Sequence, residues 1–102
     1  MLSITFDTKS EWWVPSHTFE RLFQSALDAG DLPASFEEWM HIAVANGGLD
    51  LSLLEPAVST GLVTGLRKTA VRDVSRFGDE PVTTEDGDYA LALRKFLNAT
   101  ES

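Results

Sequence analysis

Two residues have types and a spacing that could hold a metal ion. Glu38 and His41 form a Glu-x-x-His pair, which places a carboxylate and an imidazole on one face of a helix. A di-iron centre of this kind needs a second copy of the pair and two further glutamates. The other histidine, His17, has no glutamate three residues before it, and the chain has no cysteine. We therefore expect no metal and no cofactor.

The parts of a catalytic site are also missing from the sequence. Nucleophilic catalysis through a thiolate is excluded by the absence of cysteine, and no Gly-x-Ser-x-Gly motif is present. The Gly47-Gly48 pair lacks the preceding strand and the following lysine of a phosphate-binding loop. We expect that the protein is not an enzyme.

The charge of the chain indicates its class of partner. Sixteen acidic residues face eight basic ones, which gives a formal net charge of −8. This balance opposes binding to nucleic acid and to anionic membranes, whereas a protein with a basic surface would be attracted. Two groups of residues are candidate contacts, one on a predicted helix face and one around the start of the last predicted helix: Glu37, Glu38 and His41; and Asp79, Glu80, Glu85, Asp86 and Asp88.

Half of the positive charge lies within ten residues, in a basic stripe formed by Arg67, Lys68, Arg72 and Arg76. Helical spacing places the stripe in one row with Gly61 and Gly65, opposite the apolar arc of the same helix. Two interpretations stay open. Either this face is exposed and lets another backbone or an acidic surface approach, or the bases pair with acids of the same chain. Asp73 falls at the edge of the apolar arc, so either it needs a partner or the helix is rotated from this orientation.

Hydrophobic periodicity predicts the elements that position these residues. Alternating residues at 2–6 and 11–14 indicate a hairpin, and amphipathic spacing indicates helices over 16–30, 35–46, 56–77 and 84–98. Ser35 and Glu38 match a capping box at the start of the second helix, and Gly30 and Gly47 are suited to end helices. The predicted fold is a mainly α, four-helix bundle-like single domain over residues 1–102, with a short N-terminal strand or hairpin.

Several apolar residues fit no core face. Trp12 and Trp13 are adjacent in a predicted strand, so their side chains point to opposite sides of the sheet. One of the two is therefore a candidate anchor for a partner, because exposed tryptophans are enriched in interface hot spots. Ile42 and Leu91 also fall outside the apolar stripes of their helices.

Three functional hypotheses follow. In size, acidity and lack of cysteine the chain resembles small bacterial proteins that bind another protein, such as immunity proteins, antitoxins and phage-encoded inhibitors. This resemblance implies a cytoplasmic inhibitor of a basic protein, and leaves a homodimer open. The first alternative is a structural or adaptor subunit of a larger assembly. The second is a helix-turn-helix regulator around Asn46-Gly47-Gly48, although its second helix, residues 51–59, would carry Glu55 and Pro56 and no base.

Overall fold

The two alternating segments at the N-terminus form the predicted hairpin. In the computed structural model, which describes residues 2–6, 10–77 and 84–100, β1 (Leu2–Thr5) and β2 (Glu11–Val14) pair antiparallel. A third strand, β3 (Gly48–Asp50), joins β1 in parallel and gives the sheet order β2-β1-β3. Gly48 permits this pairing, because a Cβ at that position would overlap the carbonyl oxygen of Ser3.

In the part of the chain that the structure describes, most residues belong to four α-helices, as the periodicity predicts: α1 (Ser16–Ala29), α2 (Glu37–Asn46), α3 (Pro56–Phe77) and α4 (Thr84–Thr100). Gly30 and Gly47 end α1 and α2 in the left-handed conformation, with φ of 78° and 73°. Two predicted N-caps are wrong. Pro15 precedes α1, so Ser16 is already helical. A short 3-10 helix at Ala34–Phe36 takes up Ser35, and no side-chain hydrogen bond caps α2.

The inner face of the sheet packs on the helices through Trp12, which is 3 % exposed. Its indole N–H donates to the carbonyl oxygen of Ala92 at 3.1 Å, and its ring centroid lies 4.9 Å from that of Phe96. Phe19 and Phe23 extend the aromatic cluster along α1. Trp39 packs against this core but is partly exposed. This aromatic centre fixes the sheet to α1 and α4.

The glycine face of α3 is not exposed, which corrects one interpretation of the basic stripe. Gly65 is buried against the segment after α1, because a Cβ there would lie 2.6 Å from the backbone oxygen of Asp31 and would overlap the side chain of Leu32. A Cβ at Gly61 would lie 3.4 Å from the ring of Phe36. The backbone that approaches Gly65 therefore belongs to the same chain, as does the side chain that covers Gly61.

The C-terminal turn of α4 is tied to α3. The Arg67 guanidinium donates to the carbonyl oxygen of Leu97 at 2.9 Å and to the hydroxyl of Thr100. These bonds keep α4 helical to Thr100, past the predicted end at Asn98. Over the described ranges, no helix combines the length and the apolar character needed to cross a membrane.

Candidate functional site

The predicted contacts on α2 lie together in a groove of about 650 Å³, which we call the acidic groove. The buried side chains of Met40 and Ala43 fix the inner face of α2, so the opposite face is turned outward. The groove is lined by residues of this outer face and of the 3-10 helix before it: Ala34, Ser35, Glu37, Glu38, His41, Ile42 and Ala45.

Negative charge dominates the acidic groove. Among the residues that the structure describes, neither a lysine nor an arginine lines it. Glu37 accepts a hydrogen bond of 3.4 Å from His41 when that ring nitrogen carries a proton, and both side chains are more than half exposed. Glu37 and Glu38 occupy the first turn of α2, where the helix dipole stabilises carboxylates without removing their charge. The groove thus presents two carboxylates that an external cation can reach.

The acidic groove also has an apolar side. Ile42 is half-buried and lines it together with Ala34 and Ala45. Lysine and arginine have a long aliphatic stem and a cationic head, and they bury the stem on apolar surface while the head stays polar. Such a side chain would place its stem against Ile42 and its head beside the two carboxylates. The groove therefore has the chemistry to receive a basic side chain of another protein.

The structure distinguishes between the two tryptophans. Trp12 belongs to the core, whereas Trp13 is 58 % exposed on the outer face of the sheet. Trp13 pairs across the strands with Ser3, and Ser3 with Gly48, so the indole stands above a row of small residues. Trp13 is the anchor candidate that remains. It does not line the acidic groove.

Most of the second acidic cluster is not described. Asp79 and Glu80 lie outside the described residues, as do the side chains of Glu85 and Asp86. Asp88 is exposed on α4 and lines no part of the acidic groove. This group of contacts stays a prediction.

The basic stripe pairs with an acid that the sequence did not single out. Asp31, in the turn after α1, has a side chain that is 4 % exposed. Its Oδ2 accepts hydrogen bonds from Thr69 Oγ1 at 2.6 Å and Arg72 Nη1 at 2.8 Å, and Lys68 Nζ lies 3.6 Å from Oδ1. The Thr69 hydroxyl, together with Arg72 and Lys68 and against the effect of burial, lowers the pKa of Asp31 below its ordinary value.

Asp73 is the second buried carboxylate, and its partners come from two other helices. Its Oδ2 accepts hydrogen bonds from Ser25 Oγ on α1 at 3.0 Å and from Tyr89 Oη on α4 at 2.7 Å. Burial, with the hydrogen bond to Asp73 and its charge, raises the pKa of Tyr89 above its ordinary value. Arg76 Nη1 and Arg72 Nε lie 3.7 Å and 3.9 Å from Oδ1, which makes no hydrogen bond. Asp73 on α3 thus finds its partners on α1 and α4, and its carboxylate links the three helices.

The described residues do not show the geometry of a metal site or of a helix-turn-helix. Within residues 2–6, 10–77 and 84–100, no group of three or more His, Cys, Asp or Glu side chains could hold a metal ion. Gly48–Asp50 is a strand and Leu51–Leu53 a 3-10 turn, so residues 51–59 do not form the second helix of a helix-turn-helix.

Comparisons with known proteins give no information about the function of this chain. No family model, curated protein or solved structure matches this chain. Its function therefore has to be argued from the site itself.

Proposed function

We propose that this protein is a small acidic protein-binding module that inhibits a partner with a basic surface. The observation that carries the proposal is the acidic groove, where two carboxylates and an apolar wall meet and none of the described lining residues is a lysine or arginine. The occupant is a lysine or arginine side chain that projects from the partner. Charge-assisted hydrogen bonds to Glu37 and Glu38 would hold its head.

The distribution of charge favours the same partner. Lys68 and Arg72 are engaged with Asp31, and Arg67 with the end of α4, so much of the positive charge serves internal contacts. The carboxylates of Glu11, Glu20 and Glu55 are exposed and, like those of the groove, add to the negative potential. A net charge of −8 raises the rate at which a basic protein meets this surface.

In the proposed complex Trp13 is an anchor, in addition to the electrostatic attraction that the acidic residues exert. Trp13 supplies a large exposed ring on a rigid strand, and burial of such a ring sets the lifetime of many complexes. Asp88 and the acids that precede it in the sequence, Asp79, Glu80, Glu85 and Asp86, are the second group of contacts in this proposal. The proposal includes a bundle-like helical domain, a cytoplasmic location that suits a chain without cysteine, and no cofactor.

A structural or adaptor subunit is the second candidate. Among the residues whose burial is described, four large apolar side chains are exposed by more than half, and an assembly would cover them: Trp13, Leu53, Val71 and Leu91. Sedimentation of the purified protein over a range of concentrations separates the two hypotheses. An inhibitor stays a monomer or dimer, whereas a subunit associates into larger species.

The first experiment identifies a partner and assigns it to the groove. Tagged wild-type protein and the variant Glu37→Lys with Glu38→Lys are used to capture proteins from the native lysate. The control variant, Glu20→Lys with Glu55→Lys, changes the net charge by the same amount at exposed positions outside the groove. A partner that binds wild type and control but not the groove variant supports the proposal. Equal capture by all three contradicts it.

Association and dissociation rates measured with the captured partner then separate the contribution of the acidic residues from that of Trp13. Because the acids act through a long-range field, the groove variant should lower the association rate at low salt, and salt should reduce the difference. Trp13→Ala should mainly raise the dissociation rate, with a loss of at least ~2 kcal/mol of binding free energy. The Asp86→Lys with Asp88→Lys variant tests the second acidic region in the same way. Unchanged association rates in both acidic variants would show that electrostatics does not guide this complex.

A further inference from the structure

β2 is an edge strand, because the sheet order β2-β1-β3 gives it a neighbouring strand on one side only. In an antiparallel pair, every second residue directs both its N–H and its C=O toward the partner strand, and the residues between them direct both groups away. On an edge strand the groups that point away are a template for a further strand. Which residues of β2 carry them follows from the hydrogen bonds of the sheet.

Two hydrogen bonds fix this alternation, and they agree. The Phe6 N–H donates to the carbonyl oxygen of Ser10 at 2.9 Å, so the bonded positions of β2 are the even-numbered residues 10, 12 and 14. The Ser3 N–H donates to the carbonyl oxygen of Gly47 at 3.3 Å, on the side of β3, so Ser3 does not bond to its cross-strand neighbour Trp13. The N–H and C=O groups of residues 11 and 13 therefore point away from β1.

We call the outward N–H and C=O groups of Glu11 and Trp13 the outer edge of β2. Both residues are exposed, Trp13 by 58 %, and among the described residues these outward groups have no hydrogen-bond partner. The next outward position is Pro15, which has no N–H, and its carbonyl oxygen already accepts from the first turn of α1. The outer edge is thus limited to two residues, and each of them has a donor and an acceptor to offer.

The side chains of the same two residues lie on the outer face of the sheet, because residues two apart in a strand share a face. The carboxylate of Glu11 takes part in no ion pair among the described residues. The indole of Trp13 stands beside the small residues Ser3 and Gly48, which leave its ring uncovered. A strand that pairs with the outer edge would therefore have a carboxylate and an aromatic ring beside its own side chains.

We propose that the outer edge of β2 binds an extended segment of a basic protein as an additional antiparallel strand. This inference rests on the proposed function and specifies how Trp13 anchors the partner. Antiparallel pairing is the more stable kind, and it lets one partner residue exchange both backbone hydrogen bonds with Glu11 and another with Trp13. Side chains at those two partner positions fall on the outer face. A lysine or arginine suits both positions, as an ion pair with Glu11 and as a cation over the indole.

Charge favours this occupant over a second copy of the chain. Two copies would each carry a net charge of −8, so their approach is opposed by repulsion, whereas a basic segment is attracted. Pairing of two identical edges would also bring the carboxylates of both Glu11 residues onto one sheet face. The occupant is therefore a short basic strand, which adds to the contact that the partner makes in the acidic groove.

The test titrates the capped peptide Val-Lys-Val-Lys-Val into the isotope-labelled protein and follows backbone amide shifts by NMR. In the proposed register the lysines lie opposite Glu11 and Trp13 and direct their own N–H groups at β2, whereas the N–H groups of the valines point away. One modified peptide carries methyl groups on the backbone nitrogens of its two lysines. The matched control carries them on two of its valines, so charge and side chains are the same in both.

We expect the unmodified peptide to give saturable shifts that are largest at the amides of Glu11 and Trp13. Methylation at the lysines removes two donors that face β2, so the affinity should fall by about tenfold or more, whereas methylation at the valines should change it by less than about threefold. On the protein, Glu11→Pro removes one outward N–H at a position where an edge strand tolerates proline. It should bind the unmodified peptide about fivefold more weakly than Glu11→Gln, which controls for the lost carboxylate.

Each other outcome overturns the proposal. Equal affinities of the two methylated peptides, or of Glu11→Pro and Glu11→Gln, mean that side chains alone make the contact. Absence of saturable shifts at Glu11 and Trp13 means that the outer edge binds no strand. If the shifts are instead confined to residues 34–45, the peptide occupies the acidic groove, which contradicts strand addition while it supports the proposed function. Shifts of Glu11 and Trp13 that depend on protein concentration without peptide assign the outer edge to a second copy.

Discussion

Gly61 and Gly65 lie one helical turn apart on α3 and face the same connection between α1 and α2. At Gly61 a methyl group would meet the Phe36 ring at 3.4 Å, an ordinary contact, whereas at Gly65 it would lie 2.6 Å from the Asp31 backbone oxygen. Backbone does not yield as a flexible side chain does. Substitution by alanine should therefore have opposite effects at the two positions.

The magnitudes follow from two terms. Replacing glycine by alanine in a helix interior stabilises by about 1 kcal/mol, and this gain is common to both variants. Overpacking of a close contact costs about 1–3 kcal/mol, and only Gly65→Ala incurs it. We expect Gly61→Ala to raise the free energy of unfolding by up to about 1 kcal/mol. Gly65→Ala should lower it by up to about 2 kcal/mol.

Urea unfolding followed by circular dichroism measures both variants against wild type. For a domain of this size the two unfolding midpoints should differ by about 0.5 M or more, with similar slopes. The common propensity term cancels in this comparison, so the difference reports the clash alone. If Gly65→Ala is as stable as Gly61→Ala, the segment around Asp31 does not pack on α3 as described.

Three further predictions concern the buried polar network and the tryptophans. Tyr89 is the only tyrosine, so the ultraviolet absorbance of phenolate reports it alone. Its raised pKa means that the unfolded chain loses the proton first, and stability should fall as pH rises above about 10; a normal titration of the native protein would contradict this. The lowered pKa of Asp31 contributes stability that is present above about pH 4 and is lost as pH falls further. Asp31→Asn should therefore reduce the fall of the unfolding midpoint at acid pH, when the midpoint is plotted against pH. An unchanged fall would show that this carboxyl is not preferentially ionised in the fold. Trp12→Ala should cost about 3–5 kcal/mol in urea unfolding and Trp13→Ala less than about 1 kcal/mol; similar losses would show that the two rings are equally buried.

Local signals in the sequence were sufficient for the hairpin and the four helices. Alternation over residues 2–6 and 11–14 and the apolar arcs of the helices depend only on nearby residues, as do the glycines at the ends of α1 and α2. The strand Gly48–Asp50 has only three residues and no alternation, and it pairs with β1 over more than forty positions. Such a strand is defined by its partner, so a local pattern does not reveal it.

The candidate sites also contain a part that local sequence predicts and a part that depends on distant residues. Glu37, Glu38 and His41 are neighbours on one helix face, and helical spacing alone was enough to group them. The partners of the basic stripe were not predictable, because Asp31 lies in a turn and reaches Arg72 across 41 positions. Asp73 gave a partial signal, since a carboxylate at the edge of an apolar arc must find donors. Which donors it finds depends on how α1 and α4 pack against α3.

The central claim is that a basic partner occupies the acidic groove on α2. Amide hydrogen exchange of the protein, alone and saturated with the captured partner, tests this claim without a substitution. We predict slower exchange in residues 34–45, at the groove, and in β2 around Trp13. Protection confined to α3, with exchange in residues 34–45 unchanged, would contradict the claim. It would place the partner on the helix that carries the basic stripe.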